Sequence, residues 1–204
     1  MSARLGRRLI IWLGLVAGLG AAMGAWAFTV NTVGSSLLRW PADQGEIIVS
    51  VNLPFRDWTT GLEEAASVWK HSGSAAPQWS FEKYAGRLPL GQDGVSTLDL
   101  EAMDPDRLSR TQVWYQPSTG AVIEIDIRLN SEVAWQVDEA DSLKRPDLIS
   151  VLVQELGFGL GLGAGEGILN GWWEPSISGR AVGQEEIDGL SYLYPISGEP
   201  ETGP

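Results

Sequence analysis

The residues best placed to do chemistry lie in one glycine-rich run, Val153 to Gly165, read as VQELGFGLGLGAG. Glu155 is its only ionisable group. A carboxyl set among apolar neighbours is the kind of group that burial can poise as a general acid or base. Its ordinary reading is a partly buried carboxylate, hydrogen-bonded to local backbone or kept protonated by desolvation. Gln154 stands beside it, which suggests a hydrolytic pair. Adjacent helical residues diverge by about 100 degrees, however, so the two do not converge on one substrate atom. The glycines also satisfy a loose G-x-G-x-x-G search. That fingerprint needs a preceding strand and a phosphate-cradling turn, whereas these glycines follow an apolar helical run, so nucleotide binding is set aside. The chain has no cysteine, and its one histidine, His71, lies far upstream. No nitrogen or sulfur cluster for a metal follows from composition.

The element carrying Glu155 is expected to open at Pro146-Asp147, with Asp147 as the cap of the run Leu148 to Leu156. Projected at helical spacing, Leu148, Ile149, Leu152, Val153, Leu156 and Leu160 fill one broad arc, while Val151, Gln154 and Phe158 share another. The helix is therefore expected to be buried on one side and to line a cleft on the other. Gly157 and Gly159 each weaken it by roughly 1 kcal/mol relative to alanine, and Gly161 ends it, turning the chain toward Ala164.

Upstream, Ile47, Val49, Val51 and Leu53 alternate with Ile48, Ser50 and Asn52 through Glu46–Leu53, the period of a strand, which Pro54 stops. Thr60-Gly61-Leu62-Glu63 has the form of a capping box, and Leu62, Ala65, Ala66 and Trp69 recur at helical spacing before the Ser72-Gly73-Ser74 turn. Shorter strands are expected at Trp79–Phe81, Val95–Leu100 and Thr111–Tyr115. The clearest strand runs from Ala121 to Asn130, with Ala121, Ile123, Ile125, Ile127 and Leu129 on one face and Val122, Glu124, Asp126, Arg128 and Asn130 on the other.

At 204 residues the chain suits one domain with a sizeable core. Its first 27 residues are read apart from that domain. Arg4, Arg7 and Arg8 precede an uncharged apolar run, Leu9 to Gly24, then Ala25-Trp26-Ala27, the small-x-small form of a signal peptidase site. Cleavage before Phe28 is expected, with an uncleaved membrane anchor as the alternative. The protein is thus expected to be exported, whether periplasmic, secreted or at the cell surface. Removing the leader takes the formal charge from −12 to −15, since it carries three arginines and no acid. That charge argues against nucleic acid and anionic membrane as partners, leaving membrane contact only through the leader. Residues 195–204 read as a disordered tail.

The run around Glu155 resembles the zinc-binding helix and turn of the matrixin branch of the metzincin metallopeptidases, H-E-x-x-H-x-x-G-x-x-H. Glu155, Leu156, Gly157, Leu160, Gly161, Leu162 and Gly163 fall where that pattern wants them. Gln154, Phe158 and Ala164 stand at the three positions of the family's metal-binding histidines. A glutamine carbonyl is a weak hard-type ligand, and phenylalanine and alanine have no donor atoms. The resemblance extends upstream to Gly120, Glu124, Asp126, Ile127, Asn130 and Trp135, with Arg128 where vertebrate matrixins carry a structural-zinc histidine. Downstream, Gly167-Ile168-Leu169-Asn170 is similar to the methionine turn, with Leu169 in the methionine's place. Gln184 to Tyr194 is similar to the terminal helix.

The resemblance implies an α+β, metzincin-like domain over residues 28–194: a twisted, mixed but mainly antiparallel sheet, two packed helices, a methionine-turn-like loop and a carboxy-terminal helix. It implies an exported matrixin-like protein that is catalytically inactive and retains a peptide-binding cleft, its partner a peptide or protein. No cofactor is expected. One alternative is an active zinc-dependent endopeptidase with Glu155 as general base, and a second is a structural envelope or surface protein with the cleft filled. Calcium bound through Asp126 or Asn130 is weighed against the polar outer face of an ordinary strand. Trp172-Trp173 is read either as loop packing or as an aromatic surface for a peptide or sugar.

Overall fold

The computed structural model describes residues 28–54, 58–70, 73–84, 86, 91–136, 145–165, 169 and 177–196. The leader, His71, Gly167, Ile168, Asn170, Trp172-Trp173 and the tail from residue 197 lie outside the described residues. The elements in chain order are β1 (Thr32–Val33), β2 (Ser36–Leu37), β3 (Glu46–Asn52), α1 (Trp58–Lys70), β4 (Gln78–Lys83), β5 (Ser96–Glu101), β6 (Ser109–Tyr115), β7 (Val122–Asn130), α2 (Leu148–Gly159), a 3-10 helix (Ile177–Arg180) and α3 (Gln184–Leu193). The class is α+β, with a mixed five-stranded sheet.

The sheet runs in the order β4-β3-β5-β7-β6. The expectation of a mainly antiparallel sheet is wrong: β3 pairs parallel with β4 and β5, β5 pairs parallel with β7, and only β6 and β7 are antiparallel. Alternation along a strand identifies the strand, not the direction of its neighbour. Parallel pairing needs a long crossover, and α1 supplies one between β3 and β4.

Register explains how the sheet presents itself to the helices. Val51, Leu98, Ile127 and Thr111 are successive partners across β3, β5, β7 and β6, and Leu100, Leu129 and Ser109 form the next row. Val51, Leu98, Ile127 and Leu129 are wholly buried, as are Leu62 of α1 and Leu152 and Leu156 of α2, in one core. Both apolar rows therefore end on the edge strand in a hydroxyl, Thr111 or Ser109.

The opposite face of β7 corrects a second expectation. Glu124, Asp126, Arg128 and Asn130 are buried rather than forming a polar outer face, whereas Ile123, assigned to the apolar face, is 49% exposed. Arg128 Nη1 donates to Thr97 Oγ1 at 2.7 Å, and Trp114 Nε1 donates to Asp126 Oδ2 at 3.1 Å. Thr97, Trp114, Asp126 and Arg128 thus bond to one another under cover instead of meeting water.

Helix α1 begins at Trp58, two residues before the expected capping box, because the Trp58 ring is itself buried in the core. Helix α2 is bounded as its sequence predicts. Asp147 caps it, accepting from the Ser150 N–H at 2.9 Å, and Leu160, Gly161 and Leu162 close it. Leu162 N–H donates to Gly157 O and Gly161 N–H to Phe158 O, the paired bonds of a Schellman turn, with Gly161 at φ +96°. Gly157 and Gly159, unfavourable for an isolated helix, make room for neighbours. A Cβ on Gly157 would lie 2.6 Å from the Trp69 ring, and one on Gly159 would lie 2.9 Å from Ile125. The Trp69 indole N–H then reaches Val153 O at 3.0 Å, joining α1 to α2.

Candidate functional site

Glu155 projects from α2 toward the edge strand and is 4% exposed. Ser109 Oγ donates to its Oε1 at 2.6 Å, and Thr111 Oγ1 donates to its Oε2. The expected partner, local backbone, is replaced by two side chains of β6. Burial pushes the Glu155 pKa up, and the Ser109 and Thr111 hydrogen bonds act against that shift. The carboxyl thus has both oxygens engaged by the strand opposite.

The three positions that the resemblance assigns to metal ligands do not form a donor set. Phe158 is buried at 6% exposure within the core, Gln154 is half-buried and Ala164 is exposed. The helix face expected to line a cleft is mostly closed. Val151 is 2% exposed, and among the described α2 residues only Gln154 is not buried. Zinc needs about three N, O or S donors, and these positions offer one amide oxygen, so they do not fit the ion. Among the described residues no group of three or more His, Cys, Asp or Glu side chains is arranged to hold a metal.

Leu169, which the resemblance sets in the place of a methionine, is buried beneath α2, its Cδ2 lying 3.2 Å from where a Cβ on Gly157 would sit. The leucine packs upward against the helix. That is a volume-filling role that needs no sulfur.

The candidate calcium residues serve other ends. Asp126 accepts from Thr97 and Trp114 and lies 3.8 Å from Arg128. Asn130 has no exposed surface: its oxygen accepts from the Met103 and Glu132 N–H groups, and its amide donates to the carbonyls of Asp104 and Arg107. Asn130 therefore folds the β5–β6 connection around itself. Glu124 Oε2 takes the N–H groups of Asp93 and Gly94 at 2.9 and 2.7 Å, while its buried Oε1 has no hydrogen bond among the described residues. Burial raises its pKa, those two N–H groups oppose the rise, and the carboxylates of Asp126 and Asp93 reinforce it.

Sequence reasoning missed Ser109 and Thr111 as partners of Glu155. The available signal was small: two hydroxyl residues at alternate positions, in phase with the inward Val113. It also missed Arg180, whose Nε and Nη2 meet the buried Asp147 carboxylate at 2.9 and 2.5 Å and whose Nη1 lies 3.3 Å from Glu64 of α1. Comparison with protein-family models and with curated proteins yields no match.

Proposed function

We propose that this protein is an exported, matrixin-like domain that does not cleave peptides and instead holds them in extended form beside α2. The observation that carries this reading is the state of Glu155. A general base of a zinc peptidase must face a metal-bound water, whereas this carboxyl has both oxygens on Ser109 and Thr111. The donor set at 154, 158 and 164 supports the same reading. For the peptide, β6 ends the described sheet and pairs with β7 alone, so its outer edge lies outside the described ladder. A partner strand adds at such an edge through backbone hydrogen bonds.

The experiment is a zinc titration by calorimetry together with an assay on casein and a quenched peptide library. The expected result is no tight stoichiometric zinc and no hydrolysis. One ion bound tightly, with hydrolysis lost on chelation and in Glu155→Ala, would replace this reading with an active zinc endopeptidase. The burial of Val151 and Phe158 favours a second reading, a structural envelope or surface protein with a filled cleft. Fluorescence anisotropy over the same library separates the two, because the structural protein binds no member of it.

A further inference from the structure

We propose that Glu155 is a pH-operated latch between helix α2 and edge strand β6, holding the strand down when protonated and loosening it when ionised. The geometry stands apart from any peptide binding. One buried carboxyl spans two elements, and both of its contacts on β6 are hydroxyls from the inward face of that strand. Removing this one group's share of the seam affects a single strand, which among the described strands pairs with β7 alone.

What makes the latch respond to protons is the company around it. From α1, the residues buried against the core are Trp58, Gly61, Leu62, Ala65 and Trp69, while Glu63, Glu64 and Lys70 are exposed. From the 3-10 helix, Arg180 is committed to Asp147, at the far end of α2, and to Glu64. From β7, the residues on the helix side are Ile125, Ile127 and Leu129, and from β6, Arg110 lies on the opposite face, paired with Glu101 at 2.5 Å. Tyr115 is four residues beyond Thr111 on the same strand. Among the described residues no cation meets Glu155, so two neutral donors alone oppose the penalty for a buried charge.

The direction follows. Glu155 has a raised pKa in the closed state and an ordinary one once the seam opens to water. The latch is at full strength below the ordinary carboxylate value. It weakens as pH rises, by up to about tenfold in the opening constant per pH unit, until the raised pKa is passed, and is flat above it.

Hydrogen exchange on the full chain, expressed as protection factors for residues 109–115 from about pH 5 to 8, tests this. Protection in the original protein is expected to fall with pH, while β3 stays unchanged. Glu155→Gln, whose amide accepts from Ser109 and donates to Thr111, is expected to keep high protection with no pH dependence. Thr111→Val, leaving one donor, is expected to move the transition to higher pH. Equal pH profiles in the original protein and Glu155→Gln overturn the latch. Should that variant not fold, an unmoved transition in Thr111→Val overturns it equally.

Discussion

Asp147 has no exposed surface yet receives four donors: the Ser150 N–H and hydroxyl and two nitrogens of Arg180. It is a helix cap and half of a buried ion pair at once, and the two roles can be separated by substitution. Asp147→Ala is expected to destabilise by about 3 to 5 kcal/mol, since it removes the buried acid of an ion pair as well as opening the helix end. Asp147→Ser keeps a cap oxygen and is expected to recover about 1 kcal/mol of that. Urea unfolding of both variants measures the difference, and a loss in the alanine variant no larger than that of a cap alone would show that Arg180 contributes nothing. The cap was legible because Pro146-Asp147 before an apolar run is a local signature. Arg180 was not, because it lies 33 residues downstream, and the partners of Glu155 lie 44 and 46 residues upstream. Sequence shows what a side chain is; it shows a distant partner only where a pattern links the two, and no pattern links these.

Among elements, the strands and helices were readable where one periodicity dominated. Glu46–Asn52, Leu148–Gly159 and Gln184–Leu193 fall within a residue or two of the patterns that announce them. Strand direction was not readable, because a two-residue alternation is identical in parallel and antiparallel neighbours. Nor was the burial of both faces of β7, which depends on segments that fold over it, such as the Asp93-Gly94 turn on Glu124. The glycines of the α2 terminus show the same division. Gly161 was expected to stop the helix, and it does so at φ +96°, but a Cβ there would also lie 2.0 Å from the Leu38 carbonyl oxygen. Gly161→Ala is therefore expected to cost more than about 2 kcal/mol, a left-handed penalty plus a collision with backbone. Gly45 has nothing within 4 Å of its Cβ position and no positive φ, so Gly45→Ala is expected to be neutral or slightly stabilising. Thermal melts of the pair give the comparison, and equal losses would mean that the tight approach of Leu38 is relieved at no cost.

At the scale of the whole molecule, residues 28–40 tie together parts that the chain places far apart. Asn31 N–H donates to Gly161 O at 2.9 Å, Gly163 N–H to Thr29 O at 2.7 Å, and the Asn31 amide to Leu162 O at 2.8 Å, so this segment runs along the turn that follows α2. The Phe28 ring lies 5.5 Å from that of Tyr192 on α3, Arg39 donates to the Leu193 carbonyl, and Trp40 donates through its indole to Gly159 O and through its backbone to the Tyr194 hydroxyl. The strap thus joins the end of α2, the end of α3 and, through Gly120, the turn before β7. Nothing in its composition announced this, since Val30 to Leu38 has neither a long alternation nor a helical stripe. A cut before Phe28 would leave the strap whole, whereas a cut a few residues later would remove Phe28 from its seat against Gly189. Deleting residues 28–38 removes the buried Leu38 and all three bonds to the 161–163 turn. A loss of about 3 to 5 kcal/mol follows from one buried leucine and a few hydrogen bonds, equivalent to a fall of about 6 to 20 °C in Tm for a chain of this size. Calorimetry on the deletion and the full protein measures it, with exchange at 161–163 rising first. An unchanged Tm would mean that the turn after α2 is held by α3 and the core alone, with the strap lying on a surface already complete.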